Sequence, residues 1–326
     1  MVPQKKLQSA MEYLMTYGWA ILIIAIVIVA LYLLGVINPT NLAPKAVTGS
    51  CSVYRPNGPN TTYLISLISQ CASLPPKFAL YYNPSNPYAT IGIPSLKNQL
   101  ATQNSISFSA WIKPSIPQSV SCSSPSPGNP CAGWIFAEYA NFGLAVCQVS
   151  QTTLELCYYY WSAPGYPIDQ GYWVLDSNAI LQQNTWYFVS DVINTGGTYT
   201  EGFPADQSNP GTQTLYLNAT NTLTGGIVDT AANAWIPDIA GGSYVCCGQS
   251  FEGAMTNIQL YNTSLSANSI HALYLEGIGG DPIDLQDLEG WWPLNGDTND
   301  YSGNRFQGIS GNVIYTSDWT SGYSNP

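Results

Sequence analysis

The side chains that could act as catalysts are few and lie far apart in this 326-residue chain. Glycoside hydrolysis needs two carboxylates about 5–10 Å apart, and no closely spaced acidic cluster falls on a segment with strand character. Histidine chemistry would have to use His271, the one histidine in the sequence. The sequence therefore predicts a protein that is not an enzyme. Four acidic residues stand alone and are expected to be surface carboxylates: Glu138, Glu155, Asp176 and Asp191.

Aromatic side chains are concentrated between Cys157 and Val174 and favour a binding role. Sugar rings stack on such side chains, whose edges also offer hydrogen bonds. Successive side chains of a strand point to opposite faces, so half of the run Tyr158–Trp161 must leave the core. The alternative is that these residues fill the core or cover disulfides. The predicted ligand-binding aromatics are Tyr159, Trp161, Tyr166, Tyr172 and Trp173.

Composition indicates a mainly β protein outside the cell. Only 8% of the residues are charged, while tyrosine, tryptophan and glycine are plentiful. The net charge of −11, with eight basic residues, argues against a nucleic-acid partner, which needs a Lys/Arg surface.

Eight cysteines in an exported chain imply disulfides. Spacing favours one bridge across a hairpin, one closing a Ser/Pro/Gly loop and one stapling the entry segment. Cys246 and Cys247 are adjacent, so they form a vicinal bond or reach separate partners, which would change this scheme. The three favoured bridges are, in that order, Cys147–Cys157, Cys122–Cys131 and Cys51–Cys71.

The N-terminal segment predicts a membrane helix. The apolar run 19–37 would be roughly 28 Å long as a helix, close to a bilayer's hydrocarbon core. It exceeds the usual apolar region of a cleaved secretory signal. Lys5 and Lys6 precede it, so the N-terminus should be cytoplasmic and the C-terminal part extracellular. We therefore predict a leader (1–7), a transmembrane helix (8–37) and a linker (38–50).

The run Lys5–Leu14, KKLQSAMEYL, resembles the class III signal peptide of archaeal type IV pilin-like proteins. The resemblance implies cleavage between Leu7 and Gln8, although the family prefers glycine or alanine before the cut. Glu12 then takes the fifth mature position, where pilins carry a glutamate that pairs with a neighbouring subunit's terminal amine. Such pairing offsets the cost of burying either charge alone. Pilin-like subunits are therefore expected partners, and a plain signal anchor is the alternative.

Short alternating segments predict an antiparallel β-sandwich. In the run 105–114, SISFSAWIKP, isoleucine, phenylalanine and alanine share one face and the serines share the other. The runs 184–193, 214–220 and 254–262 repeat this pattern. One short helix is predicted after Ser266 as N-cap, ending at Gly277, with His271 off its apolar face.

The order of these segments resembles the laminin G-like, concanavalin A-like jelly-roll family. The resemblance covers roughly Phe78 to Gly277 and is most specific in the run 251–277, FEGAMTNIQLYNTSLSANSIHALYLEG. The later run 289–311, EGWWPLNGDTNDYSGNRFQGISG, looks like the segment that opens such domains. We therefore predict one domain, 51–326, with a circularly permuted C-terminal segment, 289–326. Strand donation to a neighbouring subunit is the alternative.

The same resemblance implies a calcium ion near the D-x-S-G-N motif that starts at Asp300. Carboxylate and amide oxygens are the ligands that calcium prefers, but the same residues would equally build an Asx/Gly turn. The predicted calcium ligands are Asp297, Asn299, Asp300 and Asn304.

These expectations combine into an archaeal cell-surface protein. A single-pass, membrane-anchored or pilin-like helix would present a lectin-type sandwich for adhesion or binding of surface glycans. One alternative is a plain signal-anchored lectin without a filament role, and a glycoside hydrolase of concanavalin fold is the least favoured.

Overall fold

The computed structural model describes residues 19, 21–27, 51–69, 71, 76–82, 90–96, 105–115, 131–138, 142–161, 171–194, 211–227, 238–239, 249–311 and 313–326. The chain divides into two compact units, Met1–Val47 and Thr48–Pro326. In the first unit, Trp19 and residues 21–27 are helical. Within the described part of the chain, no helix has the length and hydropathy that a membrane span requires. Leu7, Gln8 and Glu12 lie outside the described residues, so the anchor and its processing stay predictions.

The described residues of the second unit form two large β-sheets and a separate two-stranded hairpin, and the first large sheet (sheet 1) has eight described strands. Neighbouring strands of sheet 1 are antiparallel. Its order is β12-β11-β10-β5-β15-β3-β18, with β16 also paired to β15. The bounds are β3 (Ala79–Tyr82), β5 (Ser105–Pro114), β10 (Tyr187–Asn194), β11 (Gly211–Leu217), β12 (Thr220–Ile227), β15 (Gly253–Tyr261), β16 (Leu288–Trp292) and β18 (Ile314–Thr316).

The second sheet (sheet 2) also has eight described strands, in the order β17-β4-β13-β6-β7-β8-β9. Its pairings are antiparallel except that the short β14 runs parallel to β6. The chain is thus mainly β and antiparallel, as predicted. The bounds are β4 (Thr90–Gly92), β6 (Cys131–Glu138), β7 (Phe142–Gln148), β8 (Leu154–Trp161), β9 (Gly171–Leu181), β13 (Asp238–Ile239), β14 (Gln249–Ser250) and β17 (Ile309–Gly311).

The two sheets stack face to face around the main hydrophobic core. Phe108 of sheet 1 and Phe136 of sheet 2 stack across this core with ring centroids 4.8 Å apart. The alternating residues of β5 point into it, since Ile106, Phe108, Ala110 and Ile112 are all buried there. The predicted β-sandwich is therefore confirmed, and its closer assignment to a laminin G-like jelly roll stays a prediction.

The outer face of sheet 1 is covered by a second layer of chain. Helix α1 (Ala267–Leu275) begins after its N-cap Ser266, whose side chain accepts a hydrogen bond from the Ser269 backbone N–H. Ile270 and Leu273 of α1 are buried, while His271 is exposed. The predicted helix is thus confirmed. A hairpin of β1 (Ser52–Tyr54) and β2 (Ser66–Ile68) contributes Val53 to the same layer.

The C-terminal segment supplies strands to both sheets. Strand β16 pairs with β15 and β18 pairs with β3 in sheet 1, while β17 pairs with β4 in sheet 2. Trp292 and Leu294 are fully buried in the inter-sheet core. Trp291 is buried on the opposite, covered face. Within this chain the tail therefore completes its own sandwich.

Two of the three predicted disulfides are confirmed. Cys51–Cys71 joins the start of the β1–β2 hairpin to its end, and Cys147–Cys157 crosses from β7 to β8. Cys122 lies outside the described residues, so the Cys122–Cys131 bridge stays a prediction.

Candidate functional site

The outer face of sheet 2 carries an aromatic cluster, which is the best candidate for a ligand site. Tyr158 points into the inter-sheet core, so its neighbour Tyr159 points away from it. The outer aromatic cluster consists of Trp134 on β6, Tyr159 on β8 and Trp173 on β9. The matching face of sheet 1 is occupied by the second layer of chain. The predicted binding aromatics whose side chains the structure describes therefore lie on the outer face of sheet 2.

The three rings of the outer aromatic cluster contact one another. Trp134 and Trp173 have centroids 4.9 Å apart, and Tyr159 lies 5.0 Å from Trp173. Trp134 and Tyr159 meet edge to face at 5.6 Å. Such pairs contribute about 0.5–1.5 kcal/mol beyond area burial. The cluster packs beside Cys147 and Cys157, whose disulfide joins β8, the strand that carries Tyr159, to its neighbour β7.

Gly143 on β7 makes room for the Trp134 ring. A Cβ atom at this position would lie 2.3 Å from a ring carbon of Trp134, far inside van der Waals contact. The indole therefore lies directly over the Gly143 backbone. Its Nε1–H is buried and has no hydrogen-bond partner within the part of the chain that the structure describes. Such an orphaned donor is costly unless water or a ligand accepts from it.

The three members of the outer aromatic cluster differ in how far they are exposed to solvent. Trp134 is 1% exposed and Tyr159 is 3% exposed, so these two rings support the site from below. Predicting Tyr159 as a surface platform was therefore wrong, because its ring is buried in contact with those of Trp134 and Trp173. Trp173 is half-buried and is the member able to reach a ligand.

The other predicted aromatics are only partly placed by the structure. Trp161 ends β8 and Tyr172 lies near the start of β9, but the placement of their side chains is not described. Tyr166 lies outside the described residues. Trp134 was missed by the sequence analysis because a β-bulge between Trp134 and Phe136 breaks the alternation of β6.

The predicted calcium loop is organised around the buried carboxylate of Asp300. Its Oδ1 accepts from the backbone N–H groups of Trp291 and Ser302, at 3.0 and 2.8 Å. Its Oδ2 accepts from the Ser302 hydroxyl and the Phe306 N–H, both at 2.8 Å. Burial raises the pKa of Asp300, and these hydrogen bonds oppose that rise. Both oxygens are thus engaged by protein donors.

The remaining predicted calcium ligands are also engaged within the chain. Asn304 Oδ1 accepts from the Asn60 N–H at 2.9 Å. Asp297 accepts from the Asn299 backbone and side chain and from the Tyr301 hydroxyl. A calcium ion would therefore compete with protein donors for most of these oxygens, above all for Asp300, whose two oxygens each accept two hydrogen bonds. The arrangement favours the alternative of a structural Asx/Gly turn.

Arg55, which the sequence analysis missed, ties the β1–β2 hairpin to this loop. Its buried guanidinium donates to the carbonyl oxygens of Ser302 at 3.0 Å, Leu288 at 2.7 Å and Leu285 at 3.2 Å. A further N–H donates to the Thr61 carbonyl. No local sequence pattern points to this role, because three of its four partners are main-chain atoms 230–247 residues away.

Replacing Asp300 by asparagine is expected to destabilise the domain by about 3 kcal/mol, because one acceptor oxygen becomes a donor that faces N–H groups. Asp297→Asn is the matched control, since Asp297 is only partly buried, and should cost about 1 kcal/mol or less. Urea denaturation at pH 7 measures the free energy of unfolding of both variants. Added calcium should leave all midpoints unchanged. A calcium-dependent gain in the wild type that Asp300→Asn abolishes would instead support the calcium prediction.

Two of the isolated carboxylates are not on the surface. Asp176 is fully buried and Asp191 is 2% exposed, so the expectation of surface positions was wrong for both. Glu155 is partly exposed on β8, and the side-chain placement of Glu138 is not described. Asp191 lies on β10 between Phe108 of β5 and Leu215 of β11. Its register places it with core-facing residues, where a substrate has no access.

Asp191 pairs with a single polar side chain in the core. Gln213 Nε2 donates to Asp191 Oδ2 at 2.6 Å. Asp191 Oδ1 and Gln213 Oε1 are buried, and neither has a hydrogen-bond partner among the described residues. Burial raises the pKa of Asp191 to about 7, with the Gln213 hydrogen bond opposing the rise. This pair is a feature of the core rather than a catalytic site.

No protein-family model matches the chain, and no curated protein matches it in sequence. Among solved structures, it is similar to a Bacteroides ovatus protein provisionally described as carbohydrate-binding, with 15% identity and a TM-score of 0.47. That match covers 74% of this chain and 60% of the other, so the chain spans about three fifths of its length. These likenesses are weak and assign no ligand to this chain.

Two further solved structures are similar over part of the chain. A heptameric SAP-like pentraxin from Limulus polyphemus has 11% identity and a TM-score of 0.44, covering 76% of this chain and 96% of the pentraxin. Domain 4 of an extracellular arabinanase from Geobacillus stearothermophilus, solved with arabinotriose, has 14% identity and a TM-score of 0.33. That match covers 52% of this chain and 66% of the other.

Proposed function

We propose that this chain is an archaeal cell-surface protein whose β-sandwich binds neutral glycans through the outer aromatic cluster. The observation that carries the proposal is Trp173, which is half-buried and has its ring in contact with those of Trp134 and Tyr159. A ring held by two others loses little conformational entropy when a sugar stacks on it, because its position is already fixed. Binding, and not catalysis, is the proposed role.

Several features support the choice of a neutral, extracellular ligand. The two described disulfides suit an oxidising environment. The net charge of −11 disfavours polyanionic ligands.

The N-terminal segment is proposed as the anchor. Its apolar run, with Lys5 and Lys6 before it, supports a single-pass orientation with the sandwich outside. If the leader is cut before Gln8, Glu12 takes the pilin glutamate position and the chain would also assemble with other pilin-like subunits. A plain anchor remains the alternative. N-terminal sequencing of the mature protein separates the two.

The expected result for Trp173→Ala is a loss of glycan affinity of about tenfold, equivalent to about 1.4 kcal/mol of stacking. The full chain in detergent is applied to an array of neutral hexose and N-acetylhexosamine oligosaccharides. The best-bound oligosaccharide is then titrated by calorimetry against wild type and variant.

Ile180→Ala is the matched control. Ile180 lies on the same strand, β9, and is 58% exposed, but it is not part of the outer aromatic cluster. The Ile180→Ala variant should bind the oligosaccharide with the same affinity as the wild type. Equal affinity of wild type and Trp173→Ala, or no binding to any neutral oligosaccharide, would contradict the proposal.

A further inference from the structure

Three N-x-S/T sequons occur in the chain, and the structure treats their asparagines differently. N-glycosylation requires a side-chain amide nitrogen that an oligosaccharide can reach. Asn262 does not offer one, since its Nδ2 donates to Glu289 Oε1 at 2.7 Å and Glu289 is itself buried. Its backbone N–H also donates to the Asp287 carbonyl. A sugar on Asn262 would displace this contact beside β16.

Asn218 is held in the tight turn between β11 and β12. Its Oδ1 accepts from the Phe188 N–H at 3.0 Å, and its own N–H donates to the Phe188 carbonyl at 2.8 Å. The side chain is therefore folded back onto β10 and is only partly exposed. Asn218 has a φ of 48°, a left-handed conformation that asparagine tolerates in such turns.

Asn60 is the sequon asparagine with an exposed and unengaged side chain. It lies in the turn that follows Arg55, and its backbone N–H donates to Asn304 Oδ1 at 2.9 Å. Within the described part of the chain, its side-chain amide makes no hydrogen bond. Thr62, the hydroxyl residue of the sequon, is exposed as well. We propose that Asn60 is an N-glycosylation site.

Exposed apolar side chains beside Asn60 support the assignment. Tyr63 and Leu64 lie three and four residues after it in the chain and are 68% and 67% exposed, and Tyr54 at the end of strand β1 is 50% exposed. Large exposed apolar side chains near an acceptor offer a surface on which another group can pack. The apolar C–H faces of a sugar can pack on tyrosine rings while its hydroxyls face water.

The proposed modification is a glycosyl transfer to the Asn60 side chain. Asn60 Nδ2 attacks the anomeric carbon of an oligosaccharide carried on a lipid phosphate. A C–N bond forms, the bond from that carbon to the phosphate oxygen breaks, and the lipid phosphate leaves with the electron pair. The proton lost from Nδ2 passes to a base of the transferase. The inference rests on the proposed export of the domain, because such donors act outside the cytoplasm.

Glycopeptide mass spectrometry of the full chain, taken from the envelope fraction of its native cells, tests this. The peptide containing Asn60 should carry sugar, and the peptides containing Asn218 and Asn262 should not. Thr62→Ala should remove the added mass completely because it destroys the sequon. Thr62→Ser, which keeps the hydroxyl, is the matched control and should retain it.

Protease treatment of intact cells separates failure of this inference from failure of export. A domain that is digested from outside yet has an unmodified Asn60 overturns the inference and leaves the proposed location standing. A domain that is protected and unmodified overturns both. Sugar on Asn218 or Asn262 in place of Asn60 also overturns the inference.

Discussion

Deletion of residues 289–326 is expected to prevent the sandwich from folding, and not merely to weaken it. The deletion removes most of β16 and all of β17 and β18, which pair with strands of both sheets. Strands β15, β3 and β4 would each lose a hydrogen-bonded partner. Exposed strand edges of this kind are templates for aggregation.

The side chains lost with the tail are central to both hydrophobic cores. Trp292 and Leu294 are fully buried between the sheets, and Trp291 and Trp319 are buried in the outer layer of sheet 1. Truncating a single buried tryptophan or leucine costs about 2–5 kcal/mol. Four such losses would sum to about 8–20 kcal/mol, which matches or exceeds the roughly 5–15 kcal/mol by which a domain is stable. Arg55 would also lose its buried acceptor on Ser302.

Soluble expression and circular dichroism measure the outcome. The truncated chain is expected to be insoluble or to show no cooperative melting. Deletion of residues 324–326, which are exposed, is the control and should melt like the wild type. A truncated chain that folds as a stable monomer, together with full-length chains that associate through their tails, would favour strand donation between subunits.

Local patterns predicted the elements whose stabilising contacts are close in sequence. The alternation in β5 placed Ile106 and Phe108 correctly in the core. The N-cap at Ser266 and the glycine at 277, with a φ of 78°, bounded α1 because capping depends on a few neighbouring residues. The spacing of Cys147 and Cys157 across a hairpin likewise gave their bridge.

The burial of polar residues depended on tertiary contacts that no local pattern shows. Ser107 and Ser109 share the face of β5 expected to be polar, yet both are buried. The segment before α1 covers this face, and the Ser107 hydroxyl donates to the Thr263 carbonyl and accepts from the Leu265 N–H. Arg55 and the aromatic Trp134 were missed for the same reason. Their partners lie on elements distant in sequence or across a bulge.

Asp191 was expected at the surface, although the alternation of β10 predicts that its side chain is buried. In β10, Val189 and Ile193 alternate with Asp191 on the same side and both enter the inter-sheet core. This two-residue alternation therefore predicted that the Asp191 carboxylate is buried. A lone buried carboxylate is rare because desolvation is costly, so a surface position was expected instead.

The stability of the domain is expected to fall as pH rises from about 4 to about 7, in part because of Asp191. Burial raises its pKa from 3.8 to about 7. In this window the folded protein keeps a proton that the unfolded chain has lost, so the free energy of unfolding decreases as pH rises. Below the unfolded pKa the contribution is fully present. A shift of this size corresponds to about 4 kcal/mol. Other buried carboxyl groups with raised pKa, such as Glu289, act in the same direction.

Asp191→Asn isolates this contribution and is expected to raise stability at pH 8 by up to about 4 kcal/mol. An asparagine amide can both donate to Gln213 Oε1 and accept from its Nε2, so it satisfies atoms that an ionised carboxylate leaves unpaired. Urea denaturation at pH 4, 5, 6, 7 and 8 should give a gap between variant and wild type that opens with pH. Glu155→Gln, a partly exposed carboxylate on β8, should show no such gap. Equal or lower stability of Asp191→Asn at pH 8 would mean that the ionised carboxylate is stabilised in the core by a further partner, and the proposed neutral pair would be wrong.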